Sequence, residues 1–311
     1  MSGLPDGPLV SIITPSYNQG RFLEATIRSV LEQDYPHIEY IVMDGGSTDE
    51  SVPIIHQYDN RLAYWESLPD RGQAHAINKG LTHARGEILG WLNSDDLLAP
   101  GSVRRAVETF QSQPGIDVVY GRLERIDELG RSIPTPILPK DRLEFGSAHV
   151  IGECIVNQPG AFWRRGIMDL VGLLDESLIY GLDFQYWIRM ALAGARFKRV
   201  DSVVAYFRLS GGSKTVGQTA AHAEEQYKTL ERVLADPELG RKLGLTESQI
   251  RRQTRRTRAE IALRAAYGYA KLRDFKRTRI WLGVVLRNDS LAIFERRYID
   301  LGFASLRRRW M

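Results

Sequence analysis

The first hundred residues alternate between two hydrophobic periods, and this alternation restricts the fold more than any other feature of the chain. Short β-branched and apolar runs at residues 10–14, 38–43, 62–65 and 87–92 have the length and composition of strands. Between them, residues 20–33, 48–57, 72–84 and 101–113 repeat apolar positions at the period of an amphipathic helix. That rhythm implies an α/β fold with a mostly parallel sheet and helices on both faces. Ligands on such sheets bind beyond the carboxyl ends of the strands. Function is therefore expected in the four polar loops that follow the strands: Pro15-Ser16-Tyr17-Asn18, the stretch from Asp44 to Asp49, Asp70-Arg71-Gly72-Gln73, and Asn93-Ser94-Asp95-Asp96.

Past residue 117 the rhythm changes. Residues 117–126 and 132–137 read as a β-hairpin around Asp127-Glu128-Leu129-Gly130, and residues 154–163 as an extended run broken at Pro159-Gly160. A helix over 183–193 and a strand over 203–207 follow. The Ser210-Gly211-Gly212-Ser213-Lys214 stretch has the composition of a loop and sets a domain boundary just beyond it. Residues 1–215 are then the α/β domain, in halves of 8–116 and 117–215, and residues 216–311 a basic helical extension with helices at 220–234, 247–272, 276–286 and 291–309.

Composition narrows the class. With 311 residues, 43% hydrophobic and 26% charged, the chain is globular, and no apolar stretch reaches the ~18 residues of a membrane span. No basic segment precedes the N-terminal apolar run, so no signal peptide is expected. The single cysteine, Cys154, excludes an intramolecular disulfide and a multi-thiolate zinc site and suits a reducing cytoplasm. Neither Cys154 nor His75 or His149 is assigned a role.

The chemistry concentrates in two acidic loops. Asp95 and Asp96 offer hard oxygen ligands suited to Mg²⁺ or Mn²⁺ that also takes oxygens from a diphosphate, while a turn or an Asp N-cap is the alternative reading. A second acidic loop, Asp44 to Asp49, ends another strand of the same sheet, and two such loops on one rim point to a metal or nucleotide site. The blocks TPSYNQGRFLEATIRSVLEQDYPHIEYIVMDGGSTDES and DRGQAHAINKGLTHARGEILGWLNSDD, in this order and spacing, resemble the nucleotide-binding half of family 2 glycosyltransferases with the GT-A fold. With Gly181-Leu182-Asp183 the resemblance covers residues 8–210. It implies transfer of a sugar from a nucleotide diphosphate donor to an acceptor hydroxyl, with inversion, of the kind used in bacterial surface-polysaccharide assembly.

The resemblance also implies roles, residue by residue. Pro15, Ser16 and Tyr17 surround the nucleotide base, with Tyr17 as its aromatic platform; Asp44 bonds the base or ribose; Arg71 approaches the base and phosphates. Asp95 matches the metal-coordinating last acid of the family's DxD motif. Asn93 replaces the first acid, which leaves Asp95, with Asp96, as metal ligands and Asn93 as a hydrogen-bonding group for the ribose; Gly45 stands where a second Asp is frequent. Asp183 matches the general base that takes the acceptor's proton, although an Asp at that place also suits a helix N-cap, and the relatives' Glu-Asp pair is Leu182-Asp183 here. Gln158, exposed at the rim by Pro159-Gly160, and Trp163 fall on the acceptor side, where Phe162 and Trp163 suit either the core or a stacking surface for a sugar ring. The Gln-x-x-Arg-Trp block of processive synthases is replaced by Gln185-Tyr186-Trp187-Ile188-Arg189, so a non-processive enzyme that adds a single sugar is expected. The implied partners are a UDP-, GDP- or dTDP-sugar and a glycan acceptor, expected to be lipid-linked. Two other classes use the same acids: a catalytically weak nucleotide-sugar-binding or scaffold protein, and a nucleotidyltransferase, which would release pyrophosphate.

Charge divides unevenly along the chain. The net +4 combines −6 over residues 1–218 (21 Lys and Arg against 27 Asp and Glu) with +10 over residues 219–311 (21 against 11). Arg251, Arg252, Arg255, Arg256 and Arg258 share one broad helix face, and Arg307-Arg308-Arg309-Trp310 joins cations to an aromatic. A solvated helix face accounts for this pattern. So does docking on an anionic cytoplasmic leaflet holding a lipid-linked acceptor, where each cation contributes ~1 kcal/mol. The acidic body and the lack of a nucleic-acid module argue against nucleic acid. The expected location is cytoplasmic and peripheral on the inner membrane, with weak, salt-sensitive binding to anionic liposomes through residues 219–311.

Overall fold

The computed structural model describes residues 7–134, 144–145, 156–210 and 218–289. His149, Cys154, the glycine-rich residues 211–214, the helix expected at 291–309 and the terminal Arg307-Arg308-Arg309-Trp310 lie outside the described residues. What is described falls into two compact units, one made of 7–134, 144–145 and 156–210, the other of 218–289.

The first unit begins as its periodicity predicts. Strands β1 (Val10–Ser16), β2 (Ile38–Asp44), β3 (Tyr64–Ser67) and β4 (Ile88–Trp91) lie parallel in the order β3-β2-β1-β4, linked by helices α1 (Gly20–Leu31), α2 (Ser51–Gln57) and α3 (Gln73–His83). Beyond them the sheet becomes mixed. After β5 (Leu97–Leu98), α4 (Ser102–Ser112) and β6 (Val118–Ile126) come β7 (Ser132–Ile133), which pairs antiparallel with β6, and β8 (Glu144–Phe145). Strand β9 (Phe162–Arg164) inserts between β4 and β6, antiparallel to both, and is followed by α5 (Arg165–Val171) and α6 (Leu182–Leu192). The last strand, β10 (Phe197–Arg208), runs parallel to β6 and antiparallel to β5 and β8, which makes ten strands among the described residues. Among the described residues of the run read as extended, 156–163, strand begins at Phe162, because a turn at 158–160 with Gly160 at φ +74° precedes it.

Alternation of side chains along the strands loads both faces of this sheet. Val10, Ile12, Val42 and Ile88 join one core cluster with Leu23, Ile27 and Val30 of α1, Ile55 of α2, and Val103, Val107 and Phe110 of α4. Helix α3 takes the other face. It sits so close that a Cβ on Gly80 would lie 2.5 Å from the Ile13 side chain and 3.2 Å from Met43, so any larger residue there forces helix and sheet apart. The same strands thus carry helices on both sides while their carboxyl ends stay on one rim.

The second unit consists of α7 (Thr219–Leu234), α8 (Leu239–Leu243), α9 (Glu247–Lys271) and α10 (Phe275–Asn288). A capping box starts α9: Thr246 Oγ1 accepts the Gln249 N–H at 3.3 Å, and Gln249 Oε1 accepts the Thr246 N–H at 2.8 Å. Asp274 caps α10 through the Arg277 N–H at 2.9 Å. The small Ala259 and Ala262, with Leu263, let Val285 of α10 pack closely, while Trp281 meets Tyr227 edge-on at 5.1 Å. Among the described residues no helix is long and apolar enough to cross a membrane.

Burial, then the positive charge of Arg264, pushes the His222 imidazole of α7 down from 6.5 to about 4. Its folded pKa is therefore below the unfolded one, so the unfolded chain binds the proton first and stability falls as pH drops from about 6.5 towards 4. His222→Gln is expected to flatten that part of the stability profile, measured by urea melts across this pH range.

Candidate active site

The first two strand-end loops are laced together. Ser16 pairs in register with Asp44, which pairs in register with Ser67, so the loops after β1, β2 and β3 stand side by side. Asp44 is buried, and its two oxygens accept from Gly46 N (3.1 Å), Ser47 N (2.8 Å), Ser47 Oγ (2.6 Å) and Ser67 Oγ (2.7 Å). Three of these bonds fall on Oδ2 and one on Oδ1, three from the loop and one from Ser67 of β3. Asp44, expected to bond the base or ribose, thus also shapes the loop that follows β2. Asp49 does similar work for helices, accepting from Gly20 N at 2.8 Å and Ser51 N at 3.0 Å at the starts of α1 and α2. Pro15 and Ser16 are buried at the end of β1, whereas Tyr17 is 62% exposed and offers an open ring. Gly45 matters for space: a Cβ there would meet Asp70 Oδ2 at 2.6 Å and Tyr17 at 3.4 Å, so the frequent second Asp does not fit beside Asp70 in this arrangement.

The turn at residues 93–96 is fixed from beneath. Thr26 Oγ1 lies 2.9 Å from the Ser94 carbonyl and 2.8 Å from that of Asp96. Asp96 has no solvent exposure; its Oδ1 accepts the Arg208 backbone N–H at 3.0 Å, and the Asn93 amide lies 3.4 Å from Oδ2. Burial first, then the neighbouring Asp95 charge, raises its pKa well above the carboxylate range. Asp96, expected beside Asp95 as a metal ligand, lends its oxygens to the turn in this structure. Asp95 is half-buried, and the Arg208 Nε donates to its carbonyl at 2.8 Å. Arg208 also donates to the Asp127 carbonyl at 3.0 Å and lies over the Phe22 ring at 4.8 Å, so one side chain ties β10, the 127–128 turn and α1 to the acidic turn. No motif in the sequence singles out Arg208.

Asn93 lies in a chain of three amides. Gln73 Nε2 donates to Asn93 Oδ1 at 2.8 Å, Asn93 Nδ2 donates to Gln158 Oε1 at 3.0 Å, and Gln158 Nε2 donates to the Trp91 carbonyl at 2.8 Å. Gln158 is 8% exposed, not displayed on the rim as its Pro-Gly neighbours suggested, because Gly160 turns the chain against Val204. Trp163 is fully buried, and Phe162 is 2% exposed, so both belong to the core here and neither offers a stacking face. Trp163 meets Trp91 at 5.5 Å and Tyr186 at 5.9 Å, both edge-on, and Trp91 stacks on Trp187 at 5.7 Å with 5° between planes. This cluster joins the end of β4, which leads into the acidic turn, to α6.

Asp183 is the second residue of α6 and is half-buried; Gly181, not Asp183, occupies the N-cap position. Its Oδ1 accepts the Phe184 N–H at 2.7 Å. Arg71 is exposed and pairs with Glu176, its Nε and Nη2 reaching the same oxygen at 3.1 and 2.5 Å. Hydrogen bonds from Asn78, then from Arg71, hold the Glu176 carboxyl below its usual range. Asn78 also pairs with both backbone groups of Leu174, at 2.9 and 3.0 Å, which seats the segment before α6 on α3. The signal for Glu176 was present in the sequence as the polar Asp175-Glu176-Ser177 between apolar runs, but nothing there named its partner.

Residues 11–165 match the family described as Glycosyl transferase family 2. An uncharacterized glycosyltransferase of Rickettsia typhi is 32% identical over 240 residues, 72% of this chain and 70% of its own. The chain spans only 37% and 36% of two longer rickettsial relatives. S. aureus TarS 1-349 in complex with UDP-GlcNAc aligns with a TM-score of 0.67 at 18% identity, over 90% of this chain and 81% of that one. The mannosyltransferase PcManGT from Pyrobaculum calidifontis, in complex with GDP-Man and Mn²⁺, aligns with a TM-score of 0.63 at 18% identity, over 97% and 85%. The fold is that of the GT-A enzymes, and the chain belongs to glycosyltransferase family 2.

Position 93 explains its own departure from the family motif. Its side chain donates to Gln158 Oε1, a hydrogen bond that a carboxylate, which carries no donor, cannot make. Asn93→Asp, which restores the motif, is therefore expected to lower stability by about 1–3 kcal/mol at neutral pH in urea melts, with no gain in Mn²⁺ affinity by titration calorimetry.

Proposed function

We propose that this glycosyltransferase is non-processive and moves a single sugar from a UDP-, GDP- or dTDP-sugar to a hydroxyl of a lipid-linked glycan, with inversion at the anomeric carbon, in bacterial surface-polysaccharide assembly at the cytoplasmic face of the membrane. The observation that carries this reading is the braced turn at 93–96, which holds the half-buried Asp95 just beyond β4, the strand paired with the one that leads into Tyr17.

Mn²⁺ or Mg²⁺ suits that turn. Such a cation is commonly bound through one or two carboxylates while diphosphate and water complete its oxygens. Asp95 would hold it, and the metal would neutralise charge on the departing diphosphate. The chain's own groups do the rest. Tyr17 stacks on the base, Pro15, Ser16 and the Asp44-shaped loop border it, and Arg71 faces the phosphates. Asn93 and Gln158 keep the turn in register. Asp183 accepts the proton of the acceptor hydroxyl as that oxygen bonds to the anomeric carbon; the bond from that carbon to the diphosphate oxygen breaks on the opposite face, and its electron pair leaves with the nucleoside diphosphate.

Thermal shifts with UDP-, GDP- and dTDP-sugars, each with and without Mn²⁺, are expected to show stabilisation by one donor class that is lost in Asp95→Asn. No stabilisation by any donor would remove the reading, and release of pyrophosphate would transfer it to a nucleotidyltransferase. Asp183→Asn is expected to keep donor-induced stabilisation while losing about 10²–10⁴-fold in transfer rate, measured as nucleoside diphosphate released with acceptor present.

A further inference from the structure

The structure redistributes the charge of the C-terminal helices. Of the five arginines placed together on α9 by sequence, four meet a carboxylate: Arg251 with Glu247 at 2.6 Å, Arg255 with Asp289 at 3.6 Å, Arg256 with Glu260 at 3.0 Å and Arg258 with Glu231 at 2.8 Å. Seen from beyond a Debye length, such pairs are close to neutral. Helix α10 differs. Lys276, Arg279 and Arg287 are exposed and have no ion pair among the described residues. At about 3.6 residues per turn they share the side away from Val285, which packs on α9. Beside them stand Phe275, Ile280 and Leu286, which are 56%, 55% and 53% exposed.

Three large apolar side chains standing among cations on one helix face form an amphipathic surface suited to a boundary between water and an apolar phase. Duplex nucleic acid uses the cations but leaves the apolar groups without partners. A bilayer interface takes both, since lipid phosphates meet Lys and Arg while Phe, Ile and Leu enter the boundary between headgroups and acyl chains. We propose that the outer face of α10, formed by Phe275, Lys276, Arg279, Ile280, Leu286 and Arg287, docks on an anionic lipid bilayer, and that the arginine row of α9 does not. The proposal draws its purpose from the reading of a lipid-linked acceptor and its geometry from the helix alone.

Cosedimentation of the full chain with vesicles of phosphatidylcholine, or of phosphatidylcholine with one third phosphatidylglycerol, tests it at low and high salt. Lys276→Gln/Arg279→Gln/Arg287→Gln is expected to lower affinity for the anionic vesicles about tenfold or more. Phe275→Ser/Ile280→Ser is expected to remove the part of the binding that survives high salt. Arg251→Gln/Arg255→Gln/Arg256→Gln loses the same net charge and is expected to cost less than about threefold. The proposal is overturned if the wild-type chain binds neither vesicle or both equally, if the α9 variant loses as much as the α10 variant, or if a DNA or RNA duplex binds in preference to anionic vesicles. It is also overturned if the α10 variants lower the mass seen by light scattering or the melting temperature, which would assign the face to a second copy or to the rest of the chain. Donor hydrolysis without vesicles reports separately on sugar transfer: intact hydrolysis with no vesicle binding removes the docking surface alone.

Discussion

The carboxyl of Asp96 has no access to water, and the rim of the catalytic unit is organised around that fact. Burying an ionised carboxylate costs several kcal/mol unless protonation or hydrogen bonds offset it. Here the Arg208 backbone and the Asn93 amide surround it, and its pKa rises. Once the end of β10 is seated on Asp96, the Arg208 side chain falls within reach of the carbonyls of Asp95 and Asp127. Thr26 holds the same turn from α1. Asp95 thus stands on a loop whose backbone is gripped from two directions, which suits a group that must meet a charged ligand without reorganising.

A second brace sets the distance between the two halves of the unit. Trp91, Trp163, Tyr186 and Trp187 are each 2% exposed or less; their apolar area and ring contacts favour the cluster, against the cost of ring N–H and O–H groups that meet no hydrogen-bond partner among the described residues. Their edge-on and stacked contacts link the strand before the acidic turn to the helix that carries Asp183. The Arg71 to Glu176 pair adds a polar link between the same halves, but at the exposed surface, where an ion pair is worth about 0–1 kcal/mol. The aromatic cluster therefore supplies the rigidity, and the ion pair sets only where an exposed guanidinium rests.

The architecture of the first hundred residues was legible because period and turn chemistry are local properties. The strands end within a few residues of where the hydrophobic runs predicted, and Tyr17, Asp95 and Asp183 lie at strand or helix ends. The antiparallel insertion of β9 was not legible, since three residues after a Pro-Gly turn carry too short a pattern to reveal their neighbours. The burial of Gln158 and Trp163 was not legible for a related reason: an amide and an indole look alike in sequence whether they lie at a surface or in a core. The basic face of α9 shows the same limit, because helical spacing identifies which arginines share a side but not which carboxylates come to meet them.

What the amino-acid sequence determined by itself was the order of elements, the polar rim, the family and the charge asymmetry between body and tail, all of which follow from residue type and spacing along the chain. The tertiary structure alone decided what the carboxylates do within the chain. Asp44 and Asp96 accept hydrogen bonds from Ser67 and Arg208, residues 23 and 112 positions away. Hydrogen-bond donors act over about 3 Å of space and have no preferred separation in sequence, so only the fold could show whether a carboxylate holds the loop or faces its ligand.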